Sequence, residues 1–168
     1  MILHDLDINA LLDKLESELR AQIESRELRD PLMVGIHTGG AWIAEQLHRR
    51  LRLDAPLGLL DISFYRDDFS EIGMHPQVKP SKLPPSIEGR SILLVDDVLF
   101  TGRTIRAALN EIFDYGRPAQ VLLAVLIDRG GRQSPIQPDC VGASLTFASN
   151  QRVKLQGPSP LYLRVHTL

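Results

Sequence analysis

The chain has 168 residues, 43% of them hydrophobic and 24% charged, and its formal net charge is −2. A single domain spanning residues 1–168 is long enough to bury its own core, and a charge this close to zero gives no global indication of nucleic-acid or membrane binding. The one cysteine, Cys140, excludes an internal disulfide and is predicted to be a core residue. The N-terminus lacks the pattern of a signal peptide, and no apolar run approaches the ~18 residues of a membrane helix. We therefore expect a cytoplasmic protein with no membrane contact.

The first third of the chain predicts a helix, a strand and a second helix. Apolar residues recur on one face over residues 8–26, which predicts an amphipathic helix. The apolar run 32–36 predicts a short buried strand. Thr38, Gly39 and Gly40 follow it as a small-residue turn, at which another amphipathic pattern begins. Two glycines after a strand let the backbone approach an anion closely, although a double glycine is also a common turn.

A segment without periodicity follows the next predicted strand, at residues 57–65. Residues 66–88 show neither a helical nor a strand period and contain four prolines. An irregular segment of this length in a compact domain is either disordered or functional. Because it joins two strands of the predicted sheet, we interpret it as a lid over a site, with Arg66 at its root.

Residues 91–104 carry the most informative pattern of the chain. The apolar run 92–95 predicts a buried strand, and Asp96 and Asp97 follow where that strand is expected to end. Small polar residues at 101–104 then turn into a helix predicted over residues 103–116, whose apolar face would include Phe113.

The residue types in this block suit a sugar phosphate. Exposed hydroxyls and backbone N–H groups of Thr101, Gly102 and Thr104 at a helix N-terminus attract a phosphate, and Arg103 adds positive charge. Carboxylates repel that phosphate, so the acidic pair must face vicinal hydroxyls or a hydrated Mg²⁺. An acidic pair alone is more often a solvated strand end, and a Thr-Gly turn alone is more often a helix cap. Their combination at the carboxyl end of a strand predicts a ligand site.

The second half of the chain contains one more clear strand. Residues 121–127 predict a buried strand, and the polar turn 128–132 after it is expected to lie beside the site. Beyond residue 135 the pattern is weak, with candidate strands at residues 140–141, 145–147 and 153–155. Strands that alternate with helices predict an α/β fold with an open, mostly parallel sheet and helices on both faces.

The segment from Val95 to Ala108 closely resembles the phosphoribosyl pyrophosphate (PRPP) signature of type I phosphoribosyltransferases, and specifically that of the PyrR family. Residues 60–68 and 116–130 are also similar to that family. The resemblance implies an open sheet with a flexible lid and a small hood. It also implies conversion of uracil and PRPP to UMP and pyrophosphate with Mg²⁺, binding of UMP and UTP, and a homodimer or homotetramer.

The same resemblance implies roles for individual residues, without assigning a catalytic one. Asp96 and Asp97 would hold the ribose hydroxyls, and Arg66 would belong to the closing lid. Arg129 would stand near the base, and Mg²⁺ would arrive with PRPP rather than on protein ligands. The rest of the PRPP site would be Val98, Leu99, Phe100, Thr101, Gly102, Arg103 and Thr104, and the pyrophosphate loop would be Thr38, Gly39 and Gly40.

Some features bear on substrate and regulation. Phe100 stands where phosphoribosyltransferases acting on 6-oxopurines commonly have an acidic residue, which favours a pyrimidine. The family often has an arginine where Gly39 stands, which predicts weaker PRPP affinity or slower turnover. Few basic residues occur in the first helix and at 133–144, which argues against attenuator RNA binding. Two alternatives stay open: a non-catalytic nucleotide-sensing regulator that binds RNA, and a purine phosphoribosyltransferase.

Overall fold

The computed structural model describes residue 3, residues 6–62 and residues 81–168. Arg66 and most of the predicted lid lie outside these residues. The helices of the described chain are α1 (Ile8–Ser25), α2 (Gly39–Leu51) and α3 (Arg103–Tyr115). Its strands are β1 (Leu32–Ile36), β2 (Gly58–Leu60), β3 (Ser91–Leu99), β4 (Gln120–Asp128), β5 (Cys140–Ser144), β6 (Gln151–Gln156) and β7 (Tyr162–Thr167).

Five strands form a parallel sheet in the order β2-β1-β3-β4-β5. The chain runs from β1 outward to β2 and then returns to the other side of β1 as β3, so the winding direction reverses between β1 and β3. Open α/β sheets bind their ligands at such a reversal, beyond the carboxyl ends of the strands. The glycine turn after β1 and the acidic pair in β3 lie on the two sides of this point.

Helices cover both faces of the sheet, as the sequence predicts. One core contains residues of α1, α2 and the β6–β7 hairpin, and the other contains residues of α3. Residues of β3 alternate between these cores: Leu93 and Val95 belong to the first, and Ile92 and Leu94 to the second. Burial on both faces explains why the central strands are continuous apolar runs rather than alternating patterns.

The antiparallel hairpin of β6 and β7 forms the small hood. Its inner face consists of Val153, Leu155, Leu163 and Val165, all at most 6% exposed. The candidate strand at 153–155 is therefore confirmed, whereas β7 has too short an apolar alternation to be found from sequence. The candidate strand at 145–147 is wrong. The N–H of Leu145 bonds to the carbonyl of Asp128, which is the last residue of β4, so no neighbouring strand extends beyond it.

Two further predictions need correction. β3 does not end before Asp96 but continues to Leu99, because β4 runs alongside and pairs with it as far as Asp128. Phe113 is 54% exposed, since the buried face of α3 follows Ile105, Ala108 and Ile112. The bounds of α1, α3 and β1 agree with prediction to within one residue, and α2 lies where the second amphipathic pattern begins. Of the strand predicted at 57–65, Gly58–Leu60 is in the sheet and 63–65 lies outside the described residues.

Cys140 begins β5 and is buried, as predicted. Burial, together with the charges of Glu18 and Asp139, raises the pKa of its thiol to about 12. A thiol that stays protonated is a poor nucleophile, so Cys140 serves packing rather than chemistry. In the part of the chain that the structure describes, no helix combines the length and apolar character needed to cross a bilayer.

Candidate active site

The acidic pair occupies the sixth and seventh of the nine residues of β3. Asp96 is 1% exposed and Asp97 is 7% exposed. The Oδ1 atom of Asp96 accepts the N–H of Asp97 at 2.9 Å, and the Oδ1 atom of Asp97 accepts the N–H of Val98 at 2.9 Å. Backbone donors therefore orient both carboxylates near the carboxyl end of β3.

The glycine turn packs directly against these carboxylates. A β-carbon at Gly39 would lie 2.2 Å from Oδ2 of Asp97, and one at Gly40 would lie 2.9 Å from Oδ1 of Asp96. No real β-carbon approaches an oxygen that closely, so only glycine allows the first turn of α2 to contact the acidic pair in this way. Glycine at position 39 therefore permits this close contact with Asp97. It also leaves the site with one cation fewer than an arginine at this position would give.

The predicted phosphate turn connects β3 to α3. Gly102 takes a left-handed conformation with φ of 91°, which places it just before the first helical residue, Arg103. The Oγ1 atom of Thr101 accepts the Arg103 N–H at 3.2 Å, and Thr101 is 4% exposed. The sequence prediction of an exposed Thr101 hydroxyl is therefore wrong, because this side chain caps the turn. Thr104 is half-buried and Arg103 is exposed.

Arg129 stacks on Phe100, at the edge of the phosphate turn. Its guanidinium carbon lies 3.9 Å from the centroid of the Phe100 ring and 5.7 Å from that of Phe147. Burial, and then the nearby charge of Arg152, lower the pKa of Arg129. Its Nε is buried and has no hydrogen-bond acceptor among the described residues. A planar cation stacked on an aromatic ring can also donate hydrogen bonds from its edge to a polar planar ligand.

The polar turn after β4 contacts the phosphate turn, as predicted. Gly131 has φ of 76°, and a β-carbon there would lie 2.4 Å from the Phe100 ring. Arg132 donates to the carbonyl of Phe100 at 2.9 Å and to Oδ2 of Asp128 at 2.6 Å. Burial raises the pKa of Asp128, but the hydrogen bonds from Arg132 and Gly130 and the charge of Arg132 outweigh it and lower the pKa overall.

The structure therefore brings four sequence-predicted groups together: the acidic pair, the glycine turn, the phosphate turn and Arg129. Arg66 lies outside the described residues and stays a prediction. Sequence reasoning missed the contacts of Phe147 and Arg132, because neither lies in a recognisable motif. The one signal was the polar composition of residues 128–132, which indicated only that this turn lies near the site.

The donor set suits a magnesium ion that is bound mainly by its ligand. Mg²⁺ prefers oxygen ligands and usually keeps several waters, so one or two carboxylates are enough when phosphates supply the rest. Asp96 and Asp97 are the buried carboxylates at this site. Within residues 6–62 and 81–168, no group of three or more His, Cys, Asp or Glu side chains is placed to form a full metal cage.

Comparison with known proteins agrees with this geometry. Residues 2–157 match the model of the phosphoribosyl transferase domain. A protein of Nitrosococcus oceani named bifunctional protein PyrR is 56% identical over 162 residues, which is 95% of this chain and 92% of that protein. One of the same name from Pseudomonas aeruginosa is 58% identical over 153 residues, covering 91% of this chain and 90% of the relative.

Solved structures of phosphoribosyltransferases share the fold. The hypoxanthine phosphoribosyltransferase of Trypanosoma cruzi superposes with a TM-score of 0.71 at 20% identity, covering 99% of this chain and 95% of that one. A hypoxanthine-guanine phosphoribosyltransferase of Bacillus anthracis gives a TM-score of 0.65 at 18% identity, with 86% and 82% coverage. At these identities the likeness extends to the fold and not to the base that is used.

Proposed function

Since this chain belongs to the PyrR family of phosphoribosyltransferases, we propose that it transfers the phosphoribosyl group of PRPP to uracil, giving UMP and pyrophosphate. The C1′–O bond to pyrophosphate breaks as N1 of uracil bonds to C1′, and the N1 proton is released. The observation that carries the proposal is the direct packing of the glycine turn on the acidic pair. This packing supports the binding of one ligand that carries a diol close to a pyrophosphate, because the proposed partners of these two groups are adjacent.

Each element of the site has one part in this reaction. Asp96 and Asp97 accept hydrogen bonds from the ribose 2- and 3-hydroxyls, which holds C1′ in position. Backbone N–H groups of Thr101, Gly102 and Thr104, at the start of α3, bind the 5-phosphate. Thr38, Gly39 and Gly40 let the backbone approach the pyrophosphate. Mg²⁺ bound together with PRPP would supply positive charge next to the leaving pyrophosphate.

One feature of the base side favours a pyrimidine. Phe100 cannot exchange a proton with a purine nitrogen, and its ring is instead covered by the Arg129 guanidinium at 3.9 Å. The guanidinium is a hydrogen-bond donor that suits a carbonyl oxygen of uracil, as it would suit the carbonyl oxygen of a 6-oxopurine. Similarity to hypoxanthine phosphoribosyltransferases does not weigh against this, since it lies below 25% identity.

A base panel tests the proposal. Purified protein is mixed with PRPP and Mg²⁺, and pyrophosphate release is measured separately with uracil, cytosine, hypoxanthine and guanine. We expect release with uracil that exceeds release with each other base. No turnover with either pyrimidine would overturn the proposal, and a guanine rate equal to the uracil rate would favour the purine alternative.

A second function, RNA binding, is favoured by one feature of the hood. The outer face of the β6–β7 hairpin carries basic residues opposite one another: Arg152 pairs with His166, and Lys154 pairs with Arg164. A cluster of basic side chains on one face is the kind of surface that binds the phosphates of a polyanion. The relatives' printed name, bifunctional protein, is compatible with a second activity.

A gel shift with pyrimidine-operon leader RNA tests this function, with and without UMP, at two salt concentrations. Binding that weakens with salt and is reduced in Arg164→Gln supports it, since Arg164 is exposed. Absence of any shift at low salt would exclude the RNA function while leaving the transferase proposal intact.

A further inference from the structure

The turn after β4 holds the carbonyl groups of three successive residues, from the last residue of β3 into the phosphate turn. The oxygens of Leu99, Phe100 and Thr101 all accept hydrogen bonds from it. The Arg129 N–H donates to the Leu99 oxygen at 3.0 Å, and Arg132 Nη1 donates to the Phe100 oxygen at 2.9 Å. The Thr101 oxygen accepts two bonds, from the Gln133 N–H at 2.9 Å and from Ser134 Oγ at 3.0 Å.

These bonds determine where the phosphate turn directs its N–H groups. A trans peptide is planar, so its N–H points opposite to its carbonyl. Holding the carbonyls of Leu99, Phe100 and Thr101 toward the turn after β4 directs the N–H groups of residues 100–102 away from it. An anion site formed by backbone donors depends on this orientation, since a rotated peptide would present an oxygen to the phosphate.

Arg132 is the central residue of this contact. Its Nη1 donates to the Phe100 carbonyl, its Nε to the Ile136 carbonyl at 2.9 Å and its Nη2 to Asp128 Oδ2 at 2.6 Å. Its side chain is 14% exposed. One guanidinium thus joins the end of β4, a later residue of the same loop and the first residue after β3, and each of its nitrogens has a protein partner.

We propose that Arg132 is a positioning residue, which orients the phosphate turn for the 5-phosphate of PRPP without contacting the ligand. The inference rests on the proposed role of residues 101–104. Because the 5-phosphate is bound equally in the ground state and the transition state, loss of this orientation raises KM for PRPP and leaves kcat nearly unchanged. A residue that only stabilised the fold would not produce this split.

Arg132→Lys is the appropriate variant. Lysine keeps the positive charge but presents one ammonium, which cannot serve three separated acceptors in a plane. We expect the KM for PRPP, and the Kd for PRPP measured by calorimetry without a base, to rise about tenfold. The kcat should stay within about twofold of wild type.

Arg90→Lys is the matched control. Arg90 also joins a backbone carbonyl and a carboxylate, because its Nη2 donates to Asp30 O at 2.9 Å and lies 3.4 Å from Asp30 Oδ2. It precedes the first residue of β3, at the end of the strand far from the site. An equal rise in KM for Arg90→Lys would overturn the proposal, as would an unchanged Kd or a fall in kcat alone in Arg132→Lys.

Ser134→Ala keeps the test decisive if Arg132→Lys does not fold. It removes one of the two donors to the Thr101 carbonyl, so we expect the PRPP Kd to rise about threefold, and an unchanged Kd would contradict the proposal.

Failure of the transferase proposal is distinguishable from failure of the Arg132 proposal. Wild-type protein that binds PRPP without uracil turnover refutes the transferase reaction, while the Kd comparison still decides the role of Arg132. Absence of PRPP binding by wild type would overturn both.

Discussion

Both carboxylate oxygens of Asp97 are held in place by the surrounding backbone, which orients the side chain before a ligand binds. One carboxylate oxygen accepts a backbone N–H at 2.9 Å, while the other lies over Gly39. The first contact removes rotational freedom, and the second places the remaining oxygen between the acidic strand and the glycine turn. Binding a diol then requires little reorganisation, because the acceptor is already oriented.

Asp97→Asn should weaken PRPP binding without unfolding the protein. Asparagine keeps Oδ1 as an acceptor for the Val98 N–H but removes the charge that strengthens hydrogen bonds from the ribose hydroxyls. We expect the PRPP Kd to rise on the order of tenfold, measured by calorimetry, with Tm nearly unchanged. Asp30→Asn, at an exposed carboxylate, is the control. An unchanged affinity in Asp97→Asn would argue against the diol role.

Gly39→Ala should also impair PRPP binding, for a steric reason. The new methyl would meet Asp97 Oδ2 at 2.2 Å, so the carboxylate or the first turn of α2 must move. We expect the KM for PRPP to rise roughly tenfold or more.

Gly89→Ala separates this effect from a general loss of stability. Gly89 has φ of 68° with open space around it, so alanine there strains the backbone without touching the site. It should lower Tm and leave KM unchanged. If both variants change KM alike, the packing argument for Gly39 is wrong.

At the scale of elements, the N-terminus of α3 belongs to the candidate site, whereas the rest of the helix packs on the sheet. Its first residues form the phosphate turn, while Ile105, Ala108 and Ile112 anchor it on the sheet. Phe113 and Tyr115 near its end are about half exposed. Because only three residues separate the end of β3 from the start of α3, the N-terminus of the helix lies at the carboxyl end of that strand.

Two truncations on α3 should therefore differ sharply. Ile112 is fully buried, and Ile112→Ala should lower the free energy of unfolding by about 2–5 kcal/mol. Phe113→Ala removes a larger side chain but should change that free energy by no more than about 0.5 kcal/mol, because Phe113 is 54% exposed. Urea denaturation followed by circular dichroism measures both. Similar losses would indicate that Phe113 is covered in solution.

Local patterns predicted the elements whose signals are local. The periodicity of α1, the apolar runs of β1 and β4, and the paired motifs at 38–40 and 96–104 were all found from sequence, since each depends on neighbouring residues. The hood strand β7 and the course of β3 beyond Val95 were not, because both depend on pairing with strands remote in sequence. The hydrogen bond from Arg132 to the Phe100 carbonyl was missed for the same reason.

At the scale of the whole molecule, the strand order explains why motifs nearly 60 residues apart form one site. β1 and β3 are adjacent and parallel, with Val34 beside Leu94 and Gly35 beside Val95. Their carboxyl ends therefore carry the glycine turn and the acidic pair to the same edge. β4 adds its own turn on the other side of β3. Three successive neighbours thus contribute one loop each, and the sheet itself sets the spacing between them.

A ligand that bridges these three loops should stabilise the whole fold. PRPP with Mg²⁺ binds only the native arrangement, so at 100 times its Kd it should add about 2.7 kcal/mol to the free energy of unfolding. For a chain of this size we expect Tm to rise by about 5–10 °C. Differential scanning calorimetry measures the shift, and UMP should produce one as well. Uridine, which lacks the phosphate, should give a much smaller shift at equal concentration, because it leaves the turn at the start of α3 without its anion. Equal shifts with UMP and uridine would show that this turn does not bind the phosphate, and would locate the stabilising contacts at the acidic pair and the base side alone.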